Sequence, residues 1–323
     1  MSDAHSVGKR AAYFLAGALA SNLAAAALCF LVSRPYLLLL KNSQPIPPWV
    51  GNVFSIAVWP SLVLVPMGMG LLAAYIWRPL SLSIWQYCLW WALTSLLAPL
   101  GAYLVIREGL VCLIIAFPIL FAGGLAGVLL GRIWFRPRLA KLNLSVFPLL
   151  VLAILAEGKF RTERQDVVTD QLVIQAKAGE VWKHVVAFPP ITAPPDHWLN
   201  MVGLPTPVAT TCDGPYVGAD RRCIFSGDLV FKETVTEIVP EHLLTFDIVE
   251  QPPDPELIGH LTLHRGQFEL KDNGNGTTTL IGRSWYTLNM RPRWYFDWWT
   301  RDITRHVHLR VMEHIKTLSE RAP

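Results

Sequence analysis

Residues 293–321 read RWYFDWWTRDITRHVHLRVMEHIKTLSER, and their spacing decides how the second half of the chain is built. Phe296, Trp299, Ile303, Val307, Val311, Ile315 and Leu318 recur at intervals of three and four, which predicts one long helix with an apolar stripe. At the rise of an α-helix the stripe is about 33 Å long, enough to cross a curved sheet. The preceding sequence supplies that sheet. Segments rich in Thr, Val, Phe and Leu, set apart by Gly, Pro, Asn and Asp, predict strands over 208–212, 221–225, 229–239, 242–249, 258–271 and 277–289. KDNGNGT, between the last two, is a hairpin loop, because Asn and Gly tolerate positive φ. A further strand over 167–176 leads into AKAGEVWKHVVAF, where Val181, Trp182, Val185 and Val186 fall at helical spacing.

WKHVVAFPPITAPPDHW, over 182–198, holds four prolines in seventeen residues. Pro189 and Pro190 end the short helix ahead of them, and a second short helix is expected over 196–202. The order is strand, two short helices, six strands, long helix. It predicts an α+β domain in which a curved, mostly antiparallel sheet wraps the long helix and leaves a cavity for an apolar ligand.

The first half of the chain differs in kind. Residues 1–157 hold ten Lys or Arg and three Asp or Glu, whereas 158–323 hold eighteen and twenty-one. Four stretches, 11–33, 53–77, 84–106 and 110–131, contain no Asp, Glu, Lys, Arg or His, and each is long enough to span a bilayer core of about 30 Å. Trp and Tyr cluster near their ends, as at membrane interfaces (Tyr36, Trp49, Trp77, Trp85, Tyr87, Trp134). A buried soluble bundle would need charged, solvated faces, and these stretches have none. The first run is also longer than the apolar core of a signal peptide, so it reads as a retained span. FAGGLAG, over 121–127, allows close helix packing. The segment 142–156 reads as a fifth span, short enough to thin the bilayer, with an in-plane helix as the alternative.

The expected organisation is therefore a transmembrane domain over 1–157, a linker over 158–165 and a globular domain over 166–323. The positive-inside rule sets its orientation. The N-terminus, the Arg78 turn and the 132–141 loop hold seven Lys or Arg; the 34–41 loop and the Arg107 turn hold three. The N-terminus is expected in the cytoplasm and, with five spans, the globular domain outside it, at a bacterial inner membrane. Without ionisable residues in the spans there is no proton or ion relay, so the membrane half is expected to anchor. The basic balance belongs to membrane flanks and does not imply nucleic acid. The expected partners are the lipid bilayer and a hydrophobic small molecule; protein partners are not legible.

VIQAKAGEVWKHVVAFPPI, GPYVGADRRCIFSGDLVFKETVTEIVPEHLLTFDI, RGQFEL, GTTTLIGRSWYTLNM and HLRVMEHIKTLSE together resemble the helix-grip superfamily of START domains, polyketide cyclases and coenzyme-Q-binding proteins (SRPBCC). The resemblance covers about half the chain, residues 166–322, and narrows towards bacterial membrane-anchored members. It implies lipid, isoprenoid, steroid or polyketide ligands and admits both enzymes and carriers. It also implies that the proline elbow grips one edge of the sheet near the pocket mouth. Trp182, Phe188 and Trp198 are candidate ligand contacts on that account, with Phe296 and Trp299 at the start of the long helix.

Among polar residues, Arg265, Glu269, Arg283 and Tyr286 are the candidates near the pocket. Arg265 is chosen because strand alternation sets it beside Leu261 and Leu263, opposite His260, Thr262 and His264. Asp228 and Glu233 are expected on a solvated strand face. His260 and His264 stand about 13 Å apart by strand rise, too far to share a metal. His306 and His308 point about 200° apart on a helix. No metal or cofactor is expected, and no catalytic residue is assigned. Cys212 and Cys223 are expected as free thiols, with a cross-hairpin bridge as the alternative outside the cytoplasm.

The leading function is a membrane-anchored binding or carrier module for a lipid, isoprenoid quinone or polyketide-like molecule. The rivals are a cyclase- or hydrolase-like enzyme using Arg265, Glu269 or Tyr286, and a structural subunit with a filled cavity. Acid or base groups converging inside the cavity would favour the enzyme; a wholly apolar lining would favour the carrier.

Overall fold

A computed structural model describes residues 2–41, 48–106, 108–135 and 164–321. The segment 142–156 and the linker residues 158–163 lie outside the described residues. The chain forms two compact units.

The first unit holds helices α1 (Ser2–Lys41), α2 (Pro48–Trp77), α3 (Ile84–Ser95), α4 (Leu97–Gly101) and α5 (Leu110–Trp134). Among the described residues, four helical stretches are long and apolar enough to cross a membrane: Val7–Leu28, Leu62–Leu80, Ile84–Leu104 and Leu110–Trp134. The third is made of α3, α4 and a wider turn over Ala102–Ile106. The helix breaks at Leu96, three residues ahead of Pro99, whose missing N–H removes the bond back to Ser95. Leu15, Leu19, Leu23, Leu89, Leu93 and Leu100 are exposed on these helices. Leucine rows on the outside and small residues inside are the arrangement of a membrane bundle.

The glycines of 121–127 act as that motif predicts. A Cβ on Gly124 would lie 1.7 Å from the Trp91 ring, and one on Gly127 would lie 2.1 Å from the Met67 carbonyl oxygen. Gly70 of α2 likewise approaches the Gly124 carbonyl. Only hydrogen at these positions lets α2 and α5 meet backbone to backbone, with Trp91 wedged beside them and its indole N–H donating to Phe121 O at 3.0 Å.

The second unit holds β1 (Gln165–Ile174), α6 (Ala178–Val186), a 3-10 turn (Trp198–Val202), β2 (Pro207–Cys212), β3 (Asp220–Phe225), β4 (Leu229–Val239), β5 (Leu243–Glu250), β6 (Leu261–Asp272), β7 (Thr278–Leu288) and α7 (Arg293–Glu320). The strands make one antiparallel sheet in the order β1-β7-β6-β5-β4-β3-β2, curved around α7. This is the sheet and helix that the sequence predicts, strand for strand. Val311, Met312 and Ile315 of α7 pack on Leu244, Phe268, Leu270 and Leu280. The proline elbow closes the β2 edge. Phe188 exchanges two backbone hydrogen bonds with Thr210, and Ile191 donates to Val208 O. Arg310 of α7 then holds the elbow through the carbonyls of Ala193 and Pro194, and His314 through that of Pro189.

The buried line of α7 differs from the expected stripe. Thr300, His308 and Ser319 are buried together with Phe296, Val311, Met312 and Ile315. The buried face is wider than that stripe: Val307 lines the cavity and Leu318 packs on the core, while Thr300, His308 and Ser319 are buried beside them. Of these, His308 reaches the sheet, and Ser319 donates back to Ile315 O of its own helix.

Replacing Gly127 with leucine should prevent the α2–α5 approach. Overpacking of this kind costs about 1–3 kcal/mol or more. The expected outcome in detergent is a Tm well below that of wild type, measured beside Gly8→Leu, a position with open space around it, which should leave Tm unchanged.

Candidate functional site

Between the concave face and α7 lies a cavity of about 110 Å³. Its apolar wall is made by Phe188, Phe225, Phe231, Phe246 and Phe268 from the elbow and sheet, with Val311 from the helix. Strand alternation aims these side chains inward, and Gly266 and Gly282 on the floor make room for the Phe246 ring and for Met312. A Cβ on Gly266 would strike the Phe246 ring at 2.4 Å.

The lining also carries ionisable groups. Arg221 (β3) and Glu233 (β4) are register neighbours on the inner face and form an ion pair, 2% and 5% exposed. Arg221 also lies 4.1 Å over the Phe246 ring and reaches Val186 O. Glu233 is therefore not on the solvated face expected of it. β4 turns Phe231, Glu233 and Val235 inward together, and Arg221 from the next strand makes a buried carboxylate tolerable. Burial pushes the Glu233 carboxyl up, against the lowering pull of Arg221. Beside the pair, burial and the Glu233 charge push the Cys223 thiol up to about 12, so it stays a protonated thiol. Cys212 and Cys223 are both free.

On the opposite wall His308 of α7 meets two sheet residues. Its Nε2 is 2.8 Å from Ser284 Oγ, and its Nδ1 is 2.8 Å from Asp170 Oδ2. Ser284 and His308 both line the cavity.

The residues predicted from sequence lie around this cavity unevenly. Phe188 lines it. Trp182 packs on the adjoining core. Phe296 is buried at the start of α7 but does not face the cavity. Trp198, Trp298 and Trp299 form a chain of ring contacts, with centroids 6.3 and 4.8 Å apart. Trp198 and Trp298 are exposed, as are Trp294 and Met201.

Arg265, Glu269 and Arg283 point away from the cavity. A register shift between Leu263 and Arg265 flips the alternation, so Arg265 does not share a face with the leucines and instead pairs with Asp247 outside. Arg283 borders the cavity and sends its guanidinium to Gln267 and Glu269. Its hydrogen bond holds the Glu269 carboxyl low. Tyr286 is buried and donates to Asp297 Oδ1 at 2.6 Å. Burial, with this contact, raises its pKa.

Sequence reasoning passed over Asp170, Arg221, Ser284 and His308. The available signal was polarity at inward positions, Asp170 between Val168 and Leu172, and His308 beside the α7 stripe.

His197, Asp302 and His306 also converge, with ligating atoms within 4.8 Å of one another. His197 Nδ1 accepts the Leu199 N–H at 3.2 Å, which leaves its proton on Nε2, directed at Asp302 at 3.2 Å. A metal-binding histidine donates from its second nitrogen instead. The cluster is thus satisfied as a capped turn docked on α7.

No family model matches the chain, and no curated protein does. Solved structures do match. Norcoclaurine synthase from Thalictrum flavum, with dopamine and hydroxybenzaldehyde bound, is 16% identical over 50% of this chain and 90% of its own, with a TM-score of 0.35. A protein from Nitrosospira multiformis is 15% identical over 47% and 94%, TM-score 0.33. One from Thermobifida fusca is 19% identical over 48% and 93%, TM-score 0.33. The sheet order and its helix give the second unit a helix-grip fold. It is fused to an N-terminal region of long apolar helices consistent with membrane spans.

Breaking the buried pair tests the electrostatic reading. Glu233→Ala leaves Arg221 charged and unpartnered and should cost about 3–5 kcal/mol in chemical denaturation. Arg221→Met with Glu233→Leu should cost distinctly less.

Proposed function

We propose that this protein is a membrane-anchored helix-grip protein that takes a hydrophobic molecule into its cavity and performs acid–base chemistry on it, in the manner of a cyclase or hydrolase. The carrying observation is the lining itself: a wall of phenylalanines facing Arg221, Glu233, Ser284 and His308. A passive carrier gains nothing from burying an ion pair and a histidine against its cargo, since each adds desolvation cost. Enzyme sites collect such groups because the chemistry needs them. The volume suits a short acyl group or a ring, with any longer tail left outside.

Proximity to a bilayer supports the same reading. Exposed Trp198 and Met201 stand on the 3-10 turn, and exposed Trp294 and Trp298 on the first turns of α7. Tryptophan favours the headgroup layer, where an apolar ligand is dissolved. The test is extraction of the full-length protein from its native membrane, followed by mass spectrometry and by titration with anilinonaphthalene sulfonate. A bound apolar molecule, and dye affinity lowered roughly tenfold (about 1.4 kcal/mol) by Val311→Trp, are expected. Absence of both in wild type would rule out a ligand cavity.

The charge bias of the loops supports a cytoplasmic N-terminus, and a fifth span at 142–156 would put the helix-grip domain on the far side. An alkaline phosphatase fusion after Pro323 should then be active. An inactive fusion, with a C-terminal fluorescent protein that fluoresces, would place the domain in the cytoplasm.

A further inference from the structure

We infer that Ser284 is an acyl-accepting nucleophile, with His308 as its base and Asp170 as the group that orients the base. The inference rests on the reading that the cavity acts on its ligand, and it names the residues and the substrate class: a small ester with an apolar acyl group.

The geometry is that of a relay. An ionised carboxylate only accepts hydrogen bonds. Asp170 Oδ2, 2.8 Å from His308 Nδ1, therefore holds the imidazole proton on Nδ1. Nε2 is then left with a lone pair, and the group 2.8 Å from it is the Ser284 hydroxyl. Asp170 and His308 are both 9% exposed at their side chains, and Arg305 Nε stands 3.8 Å from the other Asp170 oxygen. Nucleophile, base and orienting acid in hydrogen-bond contact, in that order, is the arrangement that activates a serine on many unrelated folds.

Topology makes the contact a rigid one. Val168 of β1 pairs with Ser284, and Asp170 pairs with Gly282, so Asp170 and Ser284 lie diagonally adjacent on the concave face. His308 descends on both from α7. Three side chains from three elements thus meet at one point without a loop among them, which favours precise placement.

A polar staple fastening α7 to the sheet would use the same hydrogen bonds, but two observations go beyond a staple. First, Ser284 and His308 line the cavity while Asp170 does not, so the reactive end of the relay faces the ligand space. Second, the hydroxyl has glycines beside it on the cavity floor: Gly282 along its own strand and Gly266 across the β6–β7 pair. Neither position sets a side chain of its own beside the hydroxyl. The other nucleophile type in the lining, Cys223, is held as a thiol.

The step balances without a further reagent than water. Ser284 Oγ bonds to the ester carbonyl carbon as its proton passes to His308 Nε2. The bond from that carbon to the alcohol oxygen breaks, and the alcohol leaves with the proton from Nε2. Water then attacks the acyl-serine carbon, gives its proton to Nε2, and the acid departs as Oγ is reprotonated. Ester and water become acid and alcohol.

The experiment uses full-length protein in detergent with p-nitrophenyl butyrate and an alkyl fluorophosphonate. Wild type should release p-nitrophenol and gain one phosphonyl group that peptide mass spectrometry places on Ser284. Ser284→Ala should lose the adduct and fall to the buffer rate, and Asp170→Asn should lose on the order of 10³–10⁴-fold. Ser284→Cys restores a nucleophile and should form an acyl-thioester with the same ester, which a merely structural hydroxyl would not predict. Binding of anilinonaphthalene sulfonate reports the cavity separately. If wild type binds the dye yet forms no adduct at Ser284, or Ser284→Ala turns over the ester as fast, the nucleophile is overturned while the cavity stands. If wild type does not bind the dye, the cavity reading has failed first.

Discussion

Everything in the globular half depends on one burial problem. A seven-stranded antiparallel sheet curved to this degree has a concave face too large for its own side chains, and α7 is the element that covers it. Met312 and Ile315 are fully buried against Leu270 and Leu280. At roughly 1.5–3 kcal/mol for each fully buried aliphatic side chain, this contact holds sheet and helix together. The contact is dense towards the C-terminal end of α7 and opens near His308, where the sheet offers glycine at 266 and 282. The cavity is what remains when a straight helix covers a bent sheet.

That opening is electrostatically divided. One wall holds an ion pair whose members neutralise each other, and the other holds a histidine bracketed by a carboxylate and a hydroxyl. Between them stand aromatic rings. A molecule entering the space meets low dielectric, in which every hydrogen bond is stronger and every unpaired charge costlier than in water. The groups on both walls are placed by strand register and by helix phase, so their separation is fixed by the backbone and not by loops.

The fold was readable from sequence because periodicity records burial. Seven strands and the long helix follow from alternation and from the three-and-four spacing of α7, and the glycines of 121–127 announce close helix contact. Site residues were harder to read, for physical reasons that can be named. Arg265 was assigned to the inner face by simple alternation, and a bulge beside Leu263 reverses it. Glu233 looks solvated until the strand register brings Arg221 alongside. His308 adjoins the apolar stripe, and the buried face is wider than the stripe so that it includes Thr300, His308 and Ser319. In each case the deciding fact is a partner more than ten residues away, or a one-residue shift in phase, and neither leaves a trace in local pattern.

The strand order has a consequence for how this protein comes into being. β1 is the first strand made, and it pairs only with β7, the last. At translation rates of about 5–20 residues per second, the roughly hundred residues between them take some 5–20 s to appear. Throughout that interval β1 is a strand without a neighbour, with Val167 and Val173 on one side and Val168 and Ile174 on the other. This sticky segment waits as the nascent chain lengthens behind it. The sheet cannot close from its beginning; it grows from the later hairpins and takes in its first strand at the end. Such long-range closure makes slow folding, and it gives any chaperone that binds extended apolar segments a defined window in which to act.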